Sequence, residues 1–279
     1  MSWTDRCRRV TAKFAFKMPA CVSLLGFTGA LLVPGLAFYL RNPDRSGKAA
    51  MGVCAALLLV FFAFLGFPAA NAAFTLLLSI HAVGFVAYCK PLLAGASWPF
   101  RLFAAVILCL SMFGVVYMPL RGLMEHRLVM PLRLRGNVVV INCRSSPGVI
   151  HRGDWIAFRL NSVHDYFNNG TWHGNVQVMD GINMAPVLAL PGDHVKFTPK
   201  FFTVNGGIEQ PRRPNMPGSG EFTVPEKCWL AWPNLDINGH GYTPAENITE
   251  AAMAIATVQR DQFVGKPFKH WFGRRQSFS

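Results

Sequence analysis

Residues 183–195 read NMAPVLALPGDHV, an apolar strand that runs into a Pro-Gly-Asp turn. The texture around it is the same. From Asn137 onward, short β-like runs alternate with Gly, Pro and Asn: VVVINC (138–143), GDWIAFRL (153–160), PVLALPGDHVKFT (186–198), KFFTVNG (200–206) and EKCWLAWPN (226–234). This pattern predicts an all-β or mainly β domain, and about 140 residues suffice to bury a real core. ENITEAAMAIATVQRDQFVG (246–265) is helix-compatible at its centre, where Ala, Met and Glu are good helix formers. Residues 161–183 hold few apolar positions in any period and read as an exposed insertion.

Upstream the chain changes character. Of its 279 residues 52% are hydrophobic, and the mean hydropathy is +0.28. Residues 1–136 form a predicted transmembrane domain, and residues 137–279 the β domain. Four apolar segments, 18–40, 49–67, 70–89 and 102–120, approach the roughly 20 helical residues that cross a hydrocarbon core. Pro68 and its small neighbours join the second and third into a tight helical hairpin with Asn71 at the turn. The first segment is long, contains Pro34 and is followed by further spans, which fits a span better than a cleaved signal peptide. Gly26, Gly29 and Ala30 suit close helix approach. His81 is the ionisable group well inside a span, and a neutral, hydrogen-bonded packing role is expected for it ahead of a proton relay.

The net charge of +13 divides unevenly, +11 before residue 137 and +2 after it. Lys and Arg flank apolar runs instead of gathering on a folded face, which argues against nucleic acid and for lipid headgroups as their partners. The cluster Arg6, Arg8, Arg9, Lys13 and Lys17 favours a cytoplasmic N-terminus. Four spans would return the β domain to that side. A re-entrant segment would restore an odd count.

In the β domain, Ser145-Ser146-Pro147 precedes Gly153-Asp154, and downstream follow Leu190-Pro191-Gly192-Asp193, Val204-Asn205-Gly206, Val224-Pro225-Glu226 and Gly265-Lys266. In order and spacing these resemble the type I signal peptidase family of serine proteases. Members carry a nucleophilic Ser eight residues before a Gly-Asp, and a general-base Lys just ahead of the Leu-Pro-Gly-Asp box. Ser-x-Pro is similar to the plasmid-transfer branch, which processes conjugative pilins and in some members joins the pilin ends into a ring. The resemblance implies a bacterial inner-membrane, multi-pass endopeptidase or transpeptidase with a periplasmic catalytic domain. Its partners would be a membrane-associated pilin-like precursor, the lipid bilayer and subunits of a conjugation or secretion machine. Ser145 would be the nucleophile and supply an oxyanion N–H, with Ser146 in reserve, while Pro147, Gly153, Asp154, Pro191, Gly192 and Asp193 would shape the site.

The chemistry implied is acyl transfer. A Ser hydroxyl attacks only when a base takes its proton, and a Lys does so only when an apolar, desolvated setting keeps it neutral. Backbone N–H groups would hold the oxyanion. Water as acceptor gives cleavage, an amine gives transpeptidation. The departure is at position 185, where the family pattern places the Lys and this chain has Ala185, with no Lys between Arg159 and Lys196. Three readings stand: an inactivated variant of a Lys-bearing enzyme, a pseudo-peptidase serving as a binding scaffold, or a base relocated to His151, His164, His173 or His240. The family's late Gly-Asp-Asn box is represented loosely by WPNLDINGHGY (232–242), with Asp236 and Tyr242 as remnants.

No metal, flavin or nucleotide motif is evident, so no cofactor is expected. Five of the seven cysteines lie in or beside the spans, while Cys143 and Cys228 sit in the β domain and are read equally as a disulfide or as buried thiols. Transport through the spans is the weakest class, because intramembrane charge is almost absent.

Overall fold

The computed structural model describes residues 23–134, 136–160, 181–233 and 245–278. The chain forms two units, the first ending at Gly122 and the second starting at Leu123.

The first unit is helical. Ser23 caps α1 (Leu24–Leu32) by accepting from Gly26 N–H at 2.9 Å. α2 (Leu36–Arg41) follows after a break at Val33-Pro34-Gly35, where Gly35 takes φ +87°. The expected span 18–40 is therefore corrected: among its described residues the helix stops at Leu32 and restarts at Leu36. The cause is local. Pro34 disfavours the helical conformation at Val33, and Gly35 supplies a left-handed residue that ordinary side chains avoid. Asp44 then caps α3 (Arg45–Ala63), accepting from Ser46 and Gly47 N–H.

Pro68 occupies the first turn of α4 (Pro68–Cys89), where a missing N–H costs nothing. The connection from α3 is short, with Gly66 at φ +85°. Asn71 lies inside the first turn of α4 and not in the connection, its carbonyl accepting from the Thr75 hydroxyl at 2.9 Å. A 3₁₀ turn (Lys90–Leu93) extends α4. α5 (Trp98–Met112) continues through a π-helical stretch (Phe113–Tyr117) into α6 (Met118–Leu123).

Among the described residues, three helices are long and apolar enough to cross a membrane: Arg45–Ala63, Pro68–Leu93 and Trp98–Leu123, not four. The central one is the most covered. The outer one presents Trp98, Phe103, Leu110 and Val115 at 61–73% exposure, an apolar surface that water does not tolerate over such a length.

His81, on α4, is fully buried. Its Nδ1 lies 2.7 Å from the Tyr117 hydroxyl and its Nε2 2.8 Å from the Ala30 carbonyl. Because a carbonyl only accepts, Nε2 carries the proton and Nδ1 accepts from Tyr117, a neutral imidazole with both nitrogens satisfied. That is the packing role expected of it. Gly26 permits the neighbouring approach, since a Cβ there would lie 2.6 Å from the Tyr88 hydroxyl.

The second unit is built on antiparallel strands: β1 (Val129–Leu134), β2 (Asn137–Asn142), β3 (Trp155–Leu160), β4 (Gly181–Ala189), β5 (His194–Phe197), β6 (Phe201–Val204), β7 (Gln210–Pro211), β8 (Gly220–Thr223), β9 (Cys228–Ala231), β10 (Thr257–Gln259), β11 (Phe263–Pro267), β12 (His270–Trp271) and β13 (Arg274–Arg275). Seven form one sheet in the order β1-β2-β11-β3-β4-β9-β10, and four a second in the order β7-β6-β5-β8. α7 (Ala245–Ala256) packs Ala252 and Ala256 on the second sheet's core, with Val195, Phe197, Phe202 and Leu230. β1 runs the full length of β2, Val129 opposite Asn142 and Leu134 opposite Asn137, so the β unit takes in residues ahead of Asn137. β4 begins at Gly181, inside the stretch read as an insertion. The remainder of that stretch, 161–180, lies outside the described residues.

His81→Ala should cost about 1–2 kcal/mol in detergent micelles, because it leaves the Tyr117 hydroxyl and the Ala30 carbonyl without partners. Tyr117→Phe should cost less. Thermal unfolding of both single variants and of the double variant checks the coupling: in the double, Tyr117→Phe should add little.

Candidate active site

β2 ends at Asn142, and residues 143–152 form a loop that carries both candidate serines. Ser145 is half-buried, and its N–H donates to the Asn142 carbonyl at 3.3 Å. Among the described residues its hydroxyl has no hydrogen-bond partner. Ser146 differs. It is exposed, its Oγ accepts from Gly148 N–H at 3.2 Å, and its carbonyl accepts from Val149 N–H at 3.4 Å. Pro147 sits in that turn, the job its fixed φ suits. The reserve serine is thus committed to a turn, and Ser145 holds the uncommitted hydroxyl. The Ser145 N–H must leave Asn142 before it can hold an oxyanion.

The Gly-Asp box closes this loop. Gly153 takes φ +86°, and nothing lies within 4 Å of where its Cβ would be, so glycine is required by the backbone and not by crowding. Its N–H donates to the Val187 carbonyl at 2.7 Å, and Val187 N–H returns a bond to the Asp154 carbonyl at 2.8 Å, pinning the loop's end to β4. The Asp154 carboxylate accepts from His151 N–H at 2.9 Å and from Lys266 Nζ at 2.6 Å. Lys266 also donates to the Val149 carbonyl at 2.6 Å. Gly265 makes this reach possible. A Cβ there would run into the Asn142 carbonyl, so only glycine lets β11 lie so close to β2 at the pair Lys266–Asn142.

The Leu-Pro-Gly-Asp box works in the same manner. Gly192 takes φ +80° and donates to the Val224 carbonyl at 2.9 Å. Asp193, 8% exposed, accepts from Leu190 N–H at 2.6 Å, from Arg152 Nε at 2.9 Å and Nη2 at 2.6 Å, and from Asn205 Nδ2 at 2.9 Å. Val-Asn-Gly has its reason here: Asn205, at φ +52°, donates to Asp193 while its Oδ1 accepts from His194 N–H at 2.7 Å. Arg152 is the partner that the sequence reading missed. Its one signal was position, directly before the Gly-Asp.

Burial pushes both carboxyls up, but the hydrogen bonds and cationic neighbours outweigh it. For Asp154 these are Lys266 and His151, and for Asp193 they are Arg152, Leu190 and Asn205; each carboxyl is held below its ordinary value. Both are ionised structural clasps.

Ala185 lies in β4 opposite Ile156 of β3, with no exposed surface. Its core neighbours include Ile150, Ile156, Phe158, Trp229 and Ile255, an apolar setting of the kind that lowers a lysine pKa. In the sheet, β11 and β3 stand between β2 and β4, so the ladder alone does not bring Ser145 to Ala185. What links them is the loop, whose Ile150, five residues after Ser145, is buried in the cluster that holds Ala185. His151 is directed to Asp154, its Nδ1 3.6 Å from Oδ2 on a side chain 75% exposed. His164, His173, His240, Asp236 and Tyr242 lie outside the described residues.

Cys143 and Cys228 are both thiols, the disulfide alternative being excluded because β11, β3 and β4 separate their strands. Among the described residues no group of three or more His, Cys, Asp or Glu is placed to hold a metal ion. Comparison of the chain with protein-family models and with curated proteins gives no match.

Asp193→Asn should destabilise the β unit by about 2–4 kcal/mol, since Arg152 loses its counter-charge and all four donors lose an ionised acceptor. The acid limb follows from the lowered carboxyl. A group whose folded value lies below its unfolded value contributes fully above about pH 4, and the contribution fades as the pH drops below that. Chemical denaturation from pH 3 to pH 7 should show the parent losing stability on acidification and the Asn variant losing less. Gly153→Ala, which meets no atoms, should cost about 1–2 kcal/mol from its left-handed backbone alone.

Proposed function

We propose that this chain carries the framework of a membrane-bound serine endopeptidase or transpeptidase of the signal peptidase type, acting on a membrane-associated, pilin-like precursor. One observation supports it above the others: the Ser145 hydroxyl is uncommitted, on a loop pinned to β4 two residues beyond the fully buried, apolar position 185. With lysine at 185, Nζ takes the Ser145 proton as Oγ attacks the scissile carbonyl. The same proton goes to the leaving amine, leaving an acyl-enzyme. Water or a substrate amine then attacks the ester and releases Ser145. With Ala185, this position offers no proton acceptor, and the chain as it stands would hold the precursor there without cutting it through a Ser–Lys pair.

That same alanine favours a second reading, a pseudo-peptidase that binds precursors or secretion-machine subunits as a scaffold. The two readings diverge in one experiment. Ala185→Lys, in detergent micelles with a membrane-anchored pilin-type precursor, should cleave or join the precursor, and Ser145→Ala in that background should abolish the reaction. The rate should rise with pH and level off below the ordinary lysine range, because desolvation lowers the Lys pKa. An Ala185→Lys protein that is folded by circular dichroism, binds the precursor and leaves it intact would favour the scaffold.

The bacterial inner membrane is the compartment that the resemblance implies. With three spans, the segment before Arg45 and the β unit lie on opposite membrane faces. The connection 64–67 carries no charge; Arg41, Arg45, Lys48, Lys90 and Arg101 fall on the other face, against Arg121, Arg127 and Arg133 on the face of the β unit, and the positive-inside tendency assigns the more basic of the two to the cytoplasm. The β unit is then periplasmic. A C-terminal phosphatase fusion should be active and a C-terminal fluorescent-protein fusion dark; the opposite pair of results reverses the orientation.

A further inference from the structure

Along β4, Pro186 and Leu188 lie on the face of the strand opposite Ala185. Together with Val187, Arg152, Ile208, Gln210 and Arg213, they help to line a cavity of about 290 Å³. Its volume is near the lower end of the roughly 300–1,000 Å³ typical of ligand sites, which suits a single side chain or chain end. The floor is apolar and the rim cationic, but the two arginines are not equivalent. Arg152 is neutralised by its bidentate contact with Asp193. Arg213 is half-buried, and among the described residues its guanidinium donates from Nη1 to the Trp232 carbonyl at 3.3 Å. No carboxylate among the described residues pairs with it. Glu209, flanked in sequence by the lining residues Ile208 and Gln210, is exposed and makes no ion pair with a described residue. Burial pulls the Arg213 guanidinium below its ordinary value.

A partly desolvated cation with no counter-charge among the described residues is costly unless something supplies one. The remaining donors of Arg213, the unspent Nη1 of Arg152 and the amide of Gln210 border one small space beside Leu188 and Ile208. We propose that this cavity binds a peptide carboxylate, with Arg213 as its counter-ion and an adjoining aliphatic side chain resting on Leu188 and Ile208. The site is separate from position 185 and does not depend on the peptidase reading. The carboxylate can belong to an acidic side chain or to a chain end, and the probes below separate these.

The test is fluorescence anisotropy on the full chain in detergent micelles with three labelled pentapeptides: Ala-Leu-Glu-Leu-Ala amide, Ala-Leu-Gln-Leu-Ala amide, and Ala-Leu-Gln-Leu-Ala with a free C-terminus. The Glu amide or the free acid should bind about tenfold or more tighter than the Gln amide, and the winner identifies the source of the carboxylate. Binding should weaken with added salt. Arg213→Gln should remove the preference. Because Arg213 also holds the Trp232 carbonyl, Ile208→Asp is the second variant: Ile208 is 91% exposed, so the fold is spared while the new carboxylate competes for the same guanidinium. Equal binding of all three peptides, or a preference that survives Ile208→Asp, overturns the proposal.

Discussion

The contact of Arg152 with Asp193 fastens two segments that the chain separates by some forty residues: the end of the loop that carries Ser145, and the turn that closes β4. A two-pronged guanidinium–carboxylate contact fixes direction as well as distance, which a single lysine contact does not. It is not left to work alone. The Leu190 N–H and the Asn205 amide use the remaining capacity of the same carboxylate, so the partly buried charge is well compensated. On the other side of the loop, Asp154 does the equivalent for β11 by accepting from Lys266. The loop is thus held at both flanks, toward β4 by Asp193 and toward β11 by Asp154. Both clasps close the loop at its far end, while the Ser145 backbone is held by its N–H to the Asn142 carbonyl and its hydroxyl is bound to no described neighbour.

The fold was legible where the signal was local. Strands β2, β3, β5, β6 and β9 fall within the alternating or apolar runs bounded by Gly and Pro, and the Ala- and Met-rich stretch near 250 is helical. Long apolar helices were legible by composition. Their number was not, because composition counts apolar residues and a helix also needs an unbroken backbone: Pro34 and Gly35 interrupt a segment whose hydropathy is continuous. β1 went unseen for a related reason. Its run, VMPLRL, contains a proline and falls in the half assigned to the membrane, and only pairing along the whole of β2 makes it a strand. An edge strand tolerates that proline because one side of its ladder is unpaired.

The site was legible as a set of turns before it was legible as a geometry. Each Gly-Asp pair could be read as a turn, but the destinations of the carboxylates could not, since Arg152, Asn205 and Lys266 lie at unrelated sequence distances. Gly265 shows the same limit. Its φ is ordinary, so no turn rule marks it, and its necessity comes from the carbonyl of Asn142 on the strand beside it. Long-range approach of this kind leaves no periodic trace in a single sequence.

These structural duties bear on how much each motif says about chemistry. Gly153, Asp154, Gly192, Asp193, Asn205 and Gly265 all have a sufficient reason to be present in a protein that catalyses nothing, because the backbone or the clasps demand them. Their retention beside an alanine at 185 therefore does not by itself argue for an active ancestor or an active relative. Ser146 and Pro147 are likewise accounted for by the turn they make. Ser145 is different: its hydroxyl satisfies no described neighbour, and its half-buried place would suit alanine as far as packing is concerned. A residue whose side chain has no duty toward a described neighbour, on the loop whose end both clasps hold, is what supports the acyl-transfer proposal. The apolar cluster around position 185 adds what a base would need there, since a lysine introduced among Ile150, Phe158 and Trp229 is pressed toward its neutral form by the same burial that now accommodates a methyl group.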